Sequence, residues 1–150
     1  ATANSLKLER PLQVITAGAP PAPTIIQNME SIGANILHVY GLTEVYGPHT
    51  VCSYKQEWAD LSPEEQAKIK SRQGVSYIVA MYTDVVDPLT MQPVPRDGKT
   101  IGEIVMRGNN VMMGYYKDPK ATATAFEGGL SDEQADCPRS WFSRSVFAMP

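Results

Sequence analysis

The chain has 150 residues, 43% hydrophobic and 8% aromatic, which suits one domain with a real core. A formal net charge of −3 and an isoelectric point near 5.3 give no electrostatic case for nucleic acid or an anionic membrane surface. No apolar run is long enough to span a bilayer. The cysteines, Cys52 and Cys137, lie far apart with neither disulfide nor metal-ligand spacing, and His38 and His49 form no ligand cluster with them. Free thiols in a reducing compartment are expected. The opening Ala1-Thr2-Ala3-Asn4 has no initiator methionine and no signal pattern, and reads as a cut into a longer chain.

In chain order, 12–16 predicts a short strand, broken by Gly18-Ala19-Pro20. Pro20, Pro21 and Pro23 suit the entry to a helix, where a missing N–H costs little. Ile25, Met29 and Ile32 recur at helical spacing, and Gly33 is a helix stop. A second strand then ends at Tyr40 and runs out into a small, polar loop, Gly41-Leu42-Thr43-Glu44. Two strands with a helix between them favour a parallel pair with a right-handed crossover. Both glycine-containing loops then face one edge of the sheet, where open α/β sheets bind ligands. A flat ring could lie between backbone on one side and Tyr40 on the other. Thr43 offers a hydroxyl and Glu44 a carboxylate, both useful beside phosphate and magnesium. The plain alternative is a buried strand followed by an ordinary turn.

Tyr46-Gly47-Pro48-His49 reads as a loop, with His49 more often an exposed loop histidine than a base. Ser62-Pro63-Glu64-Glu65 is a capping-box helix start. Lys68, Lys70 and Arg72 crowd the end of that helix, where its dipole favours cations, and the helix reads as a solvated surface piece. Tyr77, Val79, Met81, Thr83 and Val85 alternate as in a strand. Asp87-Pro88 and Asp97-Gly98 are turns, and 101–108 is a further strand, together an antiparallel meander. Met106, Met112 and Met113 read as core fillers, and Glu103 with Arg107 as an exposed ion pair on one face. Asp118-Pro119 starts a short helix packed through Ala121, Ala125 and Phe126 and closed by Gly128-Gly129. From Leu130 the text turns polar and aperiodic, and poor order is expected.

Tyr40-Gly41-Leu42-Thr43-Glu44 resembles the signature of the adenylate-forming superfamily, which includes acyl-CoA synthetases, firefly luciferase and nonribosomal-peptide adenylation domains. It follows Thr16-Ala17-Gly18-Ala19-Pro20 at the family's distance. It precedes Gly102-Glu103-Ile104-Val105-Met106-Arg107-Gly108 and Gly114-Tyr115-Tyr116-Lys117-Asp118-Pro119, which resemble the family's next block in the same order. The resemblance covers about residues 10–129, and the segment 45–74 looks most like plant acyl-activating enzymes of the short-chain or benzoate–CoA ligase type.

The resemblance implies an α/β fold, a piece of the large adenylation domain. Residues 1–75 would supply a parallel strand–helix–strand part, 76–129 an antiparallel β-rich part and 130–150 a divergent tail. It implies that Gly18, Ala19 and Pro20 border the adenine and acyl pocket, and that Tyr40 stacks on adenine beside Gly41. Val39 would offer its carbonyl to the adenine amino group, and His38 stands where many relatives have Asn or Gln touching that group. Thr43 would contact phosphate and Glu44 would hold magnesium. ATP, Mg2+ and coenzyme A would be the cofactors and a small carboxylic acid the substrate, in a cytoplasmic or peroxisomal setting as in relatives. The family's Ser/Thr/Gly-rich phosphate loop, its ribose-binding Gly-Asp pair and its C-terminal lysine have no counterpart in these residues, so the chain is expected to be inactive alone. A second reading is a non-catalytic remnant that associates with a full-length ligase. A third is a self-sufficient α+β binding module.

Overall fold

The computed structural model describes residues 7–127 and the backbone of 142–147. They fall into two compact units. The first takes the chain up to Gly41 together with Thr50–Val75. The second takes Leu42–His49 and the chain from Ser76 onward.

In the first unit the strand–helix–strand order is present as β1 (Leu12–Thr16), α1 (Pro23–Ser31) and β2 (Ala34–Leu42). β1 pairs with β2 in parallel, from Leu12 opposite Ala34 to Thr16 opposite His38. The helix carries the chain back to the start of the sheet, so both strands end at one edge. Pro23 sits in the first helical turn. Gly33, with φ +100°, ends the helix by donating its N–H to the Glu30 carbonyl at 3.0 Å. The packed face of α1 differs from the expected one. Ile25 is exposed and its neighbour Ile26 is fully buried. Glu30, one turn beyond Ile26, faces the same way and pairs with Lys70, which places the inward stripe one residue later. β2 also runs past Tyr40 through Gly41 to Leu42, so the loop begins at Thr43. A glycine takes extended backbone as readily as a turn, and here it does not break the strand.

β3 (Gly47–Val51) and β4 (Val75–Ser76) complete a sheet of order β1-β2-β3-β4. Between them lies α2 (Pro63–Lys70), which starts as its sequence dictates. The Glu65 N–H donates to Ser62 Oγ at 3.3 Å, and the Ser62 N–H donates to Glu65 Oε2 at 3.0 Å. Its far end is not the solvated basic cap expected. Ala67 and Lys70 are buried, and the Lys70 ammonium donates to Glu30 Oε1 at 2.6 Å. Carbonyls at the end of α2 and just beyond it are met by buried side chains of the sheet and the residue after β3. The Cys52 thiol donates to the Ile69 carbonyl at 3.4 Å, His38 Nδ1–H to Arg72 at 2.8 Å and the Thr50 hydroxyl to Gln73 at 2.7 Å. Gly74 follows with φ +83°, and any Cβ there would run into the backbone of Val51, so glycine alone lets the chain pass so close.

In the second unit, β5 (Tyr82–Val86), β6 (Gly102–Arg107) and β7 (Phe142–Phe147) form an antiparallel sheet in that order. The alternating run does not begin at Tyr77. A turn closed by Ala80 N–H on the Tyr77 carbonyl at 2.9 Å interrupts it, and Tyr77, Ile78, Val79 and Met81 are exposed. Both aspartate turns are present. Asp87 Oδ1 accepts from the N–H groups of Leu89 and Thr90, and Asp97 Oδ1 from those of Lys99 and Thr100. Ile104, Val105 and Met106 are buried in succession, so β6 is covered on both faces. Met113, expected as a core filler, is exposed because it lies on the loop after β6 and not on the strand. α3 (Pro119–Ala125) is capped by Asp118 Oδ1, which accepts from the Ala121 N–H at 2.8 Å. β7 lies within 130–150, where the sequence reading expects poor order. Gly128-Gly129, Cys137 and the rest of that stretch lie outside the described residues. Among the described residues no helix is long and apolar enough to cross a membrane.

Lys70 has a side chain only 7% exposed, so removing its partner strands a charge. Glu30→Ala is expected to lower the free energy of urea unfolding by about 3 kcal/mol. Adding Lys70→Met should restore most of that loss. A double variant no more stable than Glu30→Ala would contradict the assignment.

Candidate functional site

The parallel pairing places two short segments at the same edge of the first unit. One is the bend Gly18-Ala19-Pro20 beyond β1, exposed, with Gly18 at φ +91°. A Cβ on Gly18 would meet nothing within 4 Å, so this side of the bend is open. The other is the end of β2, where Val39 is buried and Tyr40 half-buried. Gly18, Ala19, Pro20 and Tyr40 therefore share one rim. His38 is on the same strand, but it is 3% exposed and its Nδ1–H is spent on the Arg72 carbonyl. That bond is not legible from local sequence, because its partner lies beyond α2.

Thr43 and Glu44 lie in a single-turn 3-10 helix, Thr43–Val45, directly after β2. Thr43 is exposed and Glu44 half-buried. Within the second unit this turn is stitched to the loop after β6. The Met112 N–H donates to the Glu44 carbonyl at 2.7 Å, and Asn110 Nδ2 to the Val45 carbonyl at 2.7 Å. The Tyr115 hydroxyl donates to Glu44 Oε1 at 2.6 Å. A bond this short to a carboxylate is charge-assisted. That hydrogen bond, and then burial, hold the Tyr115 phenol above its ordinary pKa. Sequence reasoning missed Tyr115 as a site residue. Its available signal was its place in the Gly114-to-Pro119 motif.

Other sequence candidates fall elsewhere. His49 is neither exposed nor in a loop. It is fully buried in β3, and its Nε2–H donates to the Tyr82 carbonyl at 3.3 Å. Its Nδ1 is buried with no partner among the described residues, and desolvation lowers its pKa more than the Tyr82 bond raises it. Glu103 is buried, so the exposed-pair reading with Arg107 fails. With Tyr115, Asp118 and Lys120 it lines an open cavity of about 560 Å3 in the second unit. Cys52 is a buried free thiol, pushed up in pKa by desolvation. Among the described residues no group of three or more metal-ligating side chains is assembled.

The sequence profile of the family described as AMP-binding enzyme matches residues 2–116. A 4-hydroxybutyrate–CoA ligase of Metallosphaera sedula is 52% identical over 126 residues, covering 84% of this chain and 23% of that protein. A peroxisomal acetate/butyrate–CoA ligase of Arabidopsis thaliana is 52% identical over 124 residues, covering 83% and 22%. The chain thus spans less than a quarter of the length of the curated relatives it matches. A long-chain-fatty-acid–CoA ligase of Archaeoglobus fulgidus superposes with a TM-score of 0.64 at 19% identity, covering 95% of this chain and 27% of that one, and shows the fold. An O-succinylbenzoate–CoA synthetase of Bacillus subtilis, solved with ATP and magnesium ion, superposes at 0.57 with 20% identity over 78% and 22%.

The buried His49 sets a pH dependence. Its folded pKa lies below its unfolded value, so the unfolded chain binds the proton more readily. The contribution is complete above about pH 6.5 and is lost as pH falls through the folded value. The unfolding free energy should drop as pH falls below about 6.5, with this residue supplying a slope of up to about 1.4 kcal/mol per pH unit. His49→Gln should flatten that part of the curve. Parallel curves for the two proteins would contradict it.

Proposed function

The chain belongs to the AMP-binding enzyme family, and from that premise we propose that it is one wall of an ATP-dependent carboxylate–CoA ligase. The reaction of such a ligase joins a carboxylate oxygen to the α-phosphorus of ATP and releases pyrophosphate. The thiol sulfur of coenzyme A then replaces AMP on the acyl carbon. The substrate is a small carboxylic acid, of the size named for the relatives at about half identity. A cytoplasmic or peroxisomal setting goes with this reading.

Each residue of the rim has a task in it. Gly18, Ala19 and Pro20 border the adenine and the acyl pocket, with the open side of Gly18 admitting a flat ring. Tyr40 stacks on the purine, Gly41 keeps the backbone bare beside it, and the Val39 carbonyl accepts from the exocyclic amino group. His38 serves from below, tying β2 to the Arg72 carbonyl. Thr43 donates to phosphate. Glu44 is the residue for magnesium. A lone carboxylate fits Mg2+, which keeps most of its shell in water and substrate phosphate. When bound, the ion supplies charge neutralisation at the phosphates.

The observation that carries this reading is the parallel register of β1 and β2, which sends the Gly18 bend and Tyr40 to one edge. A second reading, association with a full-length ligase, is favoured by the exposure of Leu12 and Ile15 on β1 and of Ile25 on α1. The 150-residue chain is expected to bind Mg·ATP weakly and to release no pyrophosphate with acetate, butyrate or benzoate. Calorimetry and a coupled pyrophosphate assay check both. Clear turnover would refute the incompleteness of the site, and absence of Mg·ATP binding would refute the nucleotide assignment. Co-elution with a full-length ligase on size exclusion, with no nucleotide bound, would favour the second reading.

A further inference from the structure

We propose that Tyr115 is a positioning residue for Glu44, holding that carboxylate in one orientation so that it meets metal-bound phosphate. The inference rests on the nucleotide reading above and adds a residue to which that reading assigns no role.

The geometry separates this task from mere anchorage. The loop after β6 is already docked on the Thr43–Val45 turn by two bonds, Met112 N–H to the Glu44 carbonyl and Asn110 Nδ2 to the Val45 carbonyl. Neither uses the Glu44 side chain. The phenol bond at 2.6 Å is the contact that reaches the carboxylate itself. Burial does not demand it, since Tyr115 is 40% exposed and its hydroxyl could be met by water. The adjacent Tyr116 is 88% exposed, with the Lys117 ammonium over its ring at 5.2 Å.

The backbone that delivers the phenol is fixed from behind. The Tyr115 N–H donates to Thr122 Oγ1 at 2.9 Å, and that hydroxyl donates to the Asp118 carbonyl at 2.8 Å. The Asp118 N–H in turn donates to the Tyr115 carbonyl at 3.2 Å. Gly114 lies so close to Thr122 that a Cβ there would sit 2.8 Å from its methyl group. A glutamate in a single helical turn otherwise samples several rotamers. Donation to Oε1 selects one of them and directs Oε2 elsewhere. Partners that orient a metal ligand in this way contribute to metal affinity without touching the ion.

The test uses the 150-residue chain and titrates ATP by calorimetry with saturating Mg2+ and with EDTA. Wild type is expected to bind more tightly with Mg2+, and Glu44→Gln to lose that difference. Tyr115→Phe should keep the metal-free affinity and the urea midpoint while Mg·ATP affinity falls roughly tenfold. Tyr116→Phe should match wild type. A Tyr115→Phe chain with the full Mg2+ dependence overturns the proposal alone. A wild-type chain indifferent to Mg2+ overturns the nucleotide reading and the proposal with it. A readout on wild type avoids any folding defect of the variant. With Mn·ATP, paramagnetic broadening should reach both the Glu44 carboxylate carbon and the Tyr115 ring protons. Broadening of Glu44 with an unaffected Tyr115 ring also overturns the proposal.

Discussion

The first unit depends on the pairing of β1 with β2. Parallel strands cannot be joined by a tight turn, so the chain must climb back through a helix before the second strand begins. That detour leaves both strand ends on one edge and their following residues free of the ladder. The Gly18 bend and the end of β2 owe their common position to this backbone constraint, whatever their side chains. The sheet is tied to α2 and the chain after it by a different device. Side chains of His38, Thr50 and Cys52 satisfy carbonyls that α2 and the chain after it would otherwise leave unpaired. Each of these donors is buried, where an unmet polar group costs about 1–3 kcal/mol.

The second unit brings distant motifs together by hydrogen bonds to backbone. Glu44 and Tyr115 are 71 positions apart, yet the turn bearing one receives three bonds from the loop bearing the other. Two of these bonds end on carbonyls, one from the Met112 backbone N–H and one from the Asn110 side-chain amide. Only the phenol–carboxylate bond joins two side chains. Loops set on a rigid strand by such bonds are where binding residues concentrate, and β6, buried on both faces, is that support.

Features that rest on local chemistry were legible in the sequence. The capping box at Ser62, the aspartate turns at Asp87 and Asp97, the Asp118 cap and the stop at Gly33 each involve partners within a few residues. The family motifs marked the rim and the Glu44 turn. Features resting on distant partners were not legible. Ile26 replaces Ile25 in the core because α1 turns Glu30 toward Lys70, 40 positions on. His49 is buried because β3 continues where Gly47 and Pro48 suggest a loop. Tyr115 gained its meaning only when its loop was seen against Glu44. The many exposed apolar residues, Leu12, Ile15, Ile78 and Ile101 among them, fit a chain that spans less than a quarter of its relatives. Composition alone would have sent them inside.

The sharing of one rim by the Gly18 bend and Tyr40 is tested most directly by where a purine docks. Nuclear Overhauser effects from the adenine protons of ATP can be followed on the isotopically labelled chain. The account predicts effects to the Gly18 and Ala19 backbone and to the Tyr40 ring. Effects confined to Leu12 and Ala34, at the far end of the same two strands, would contradict it.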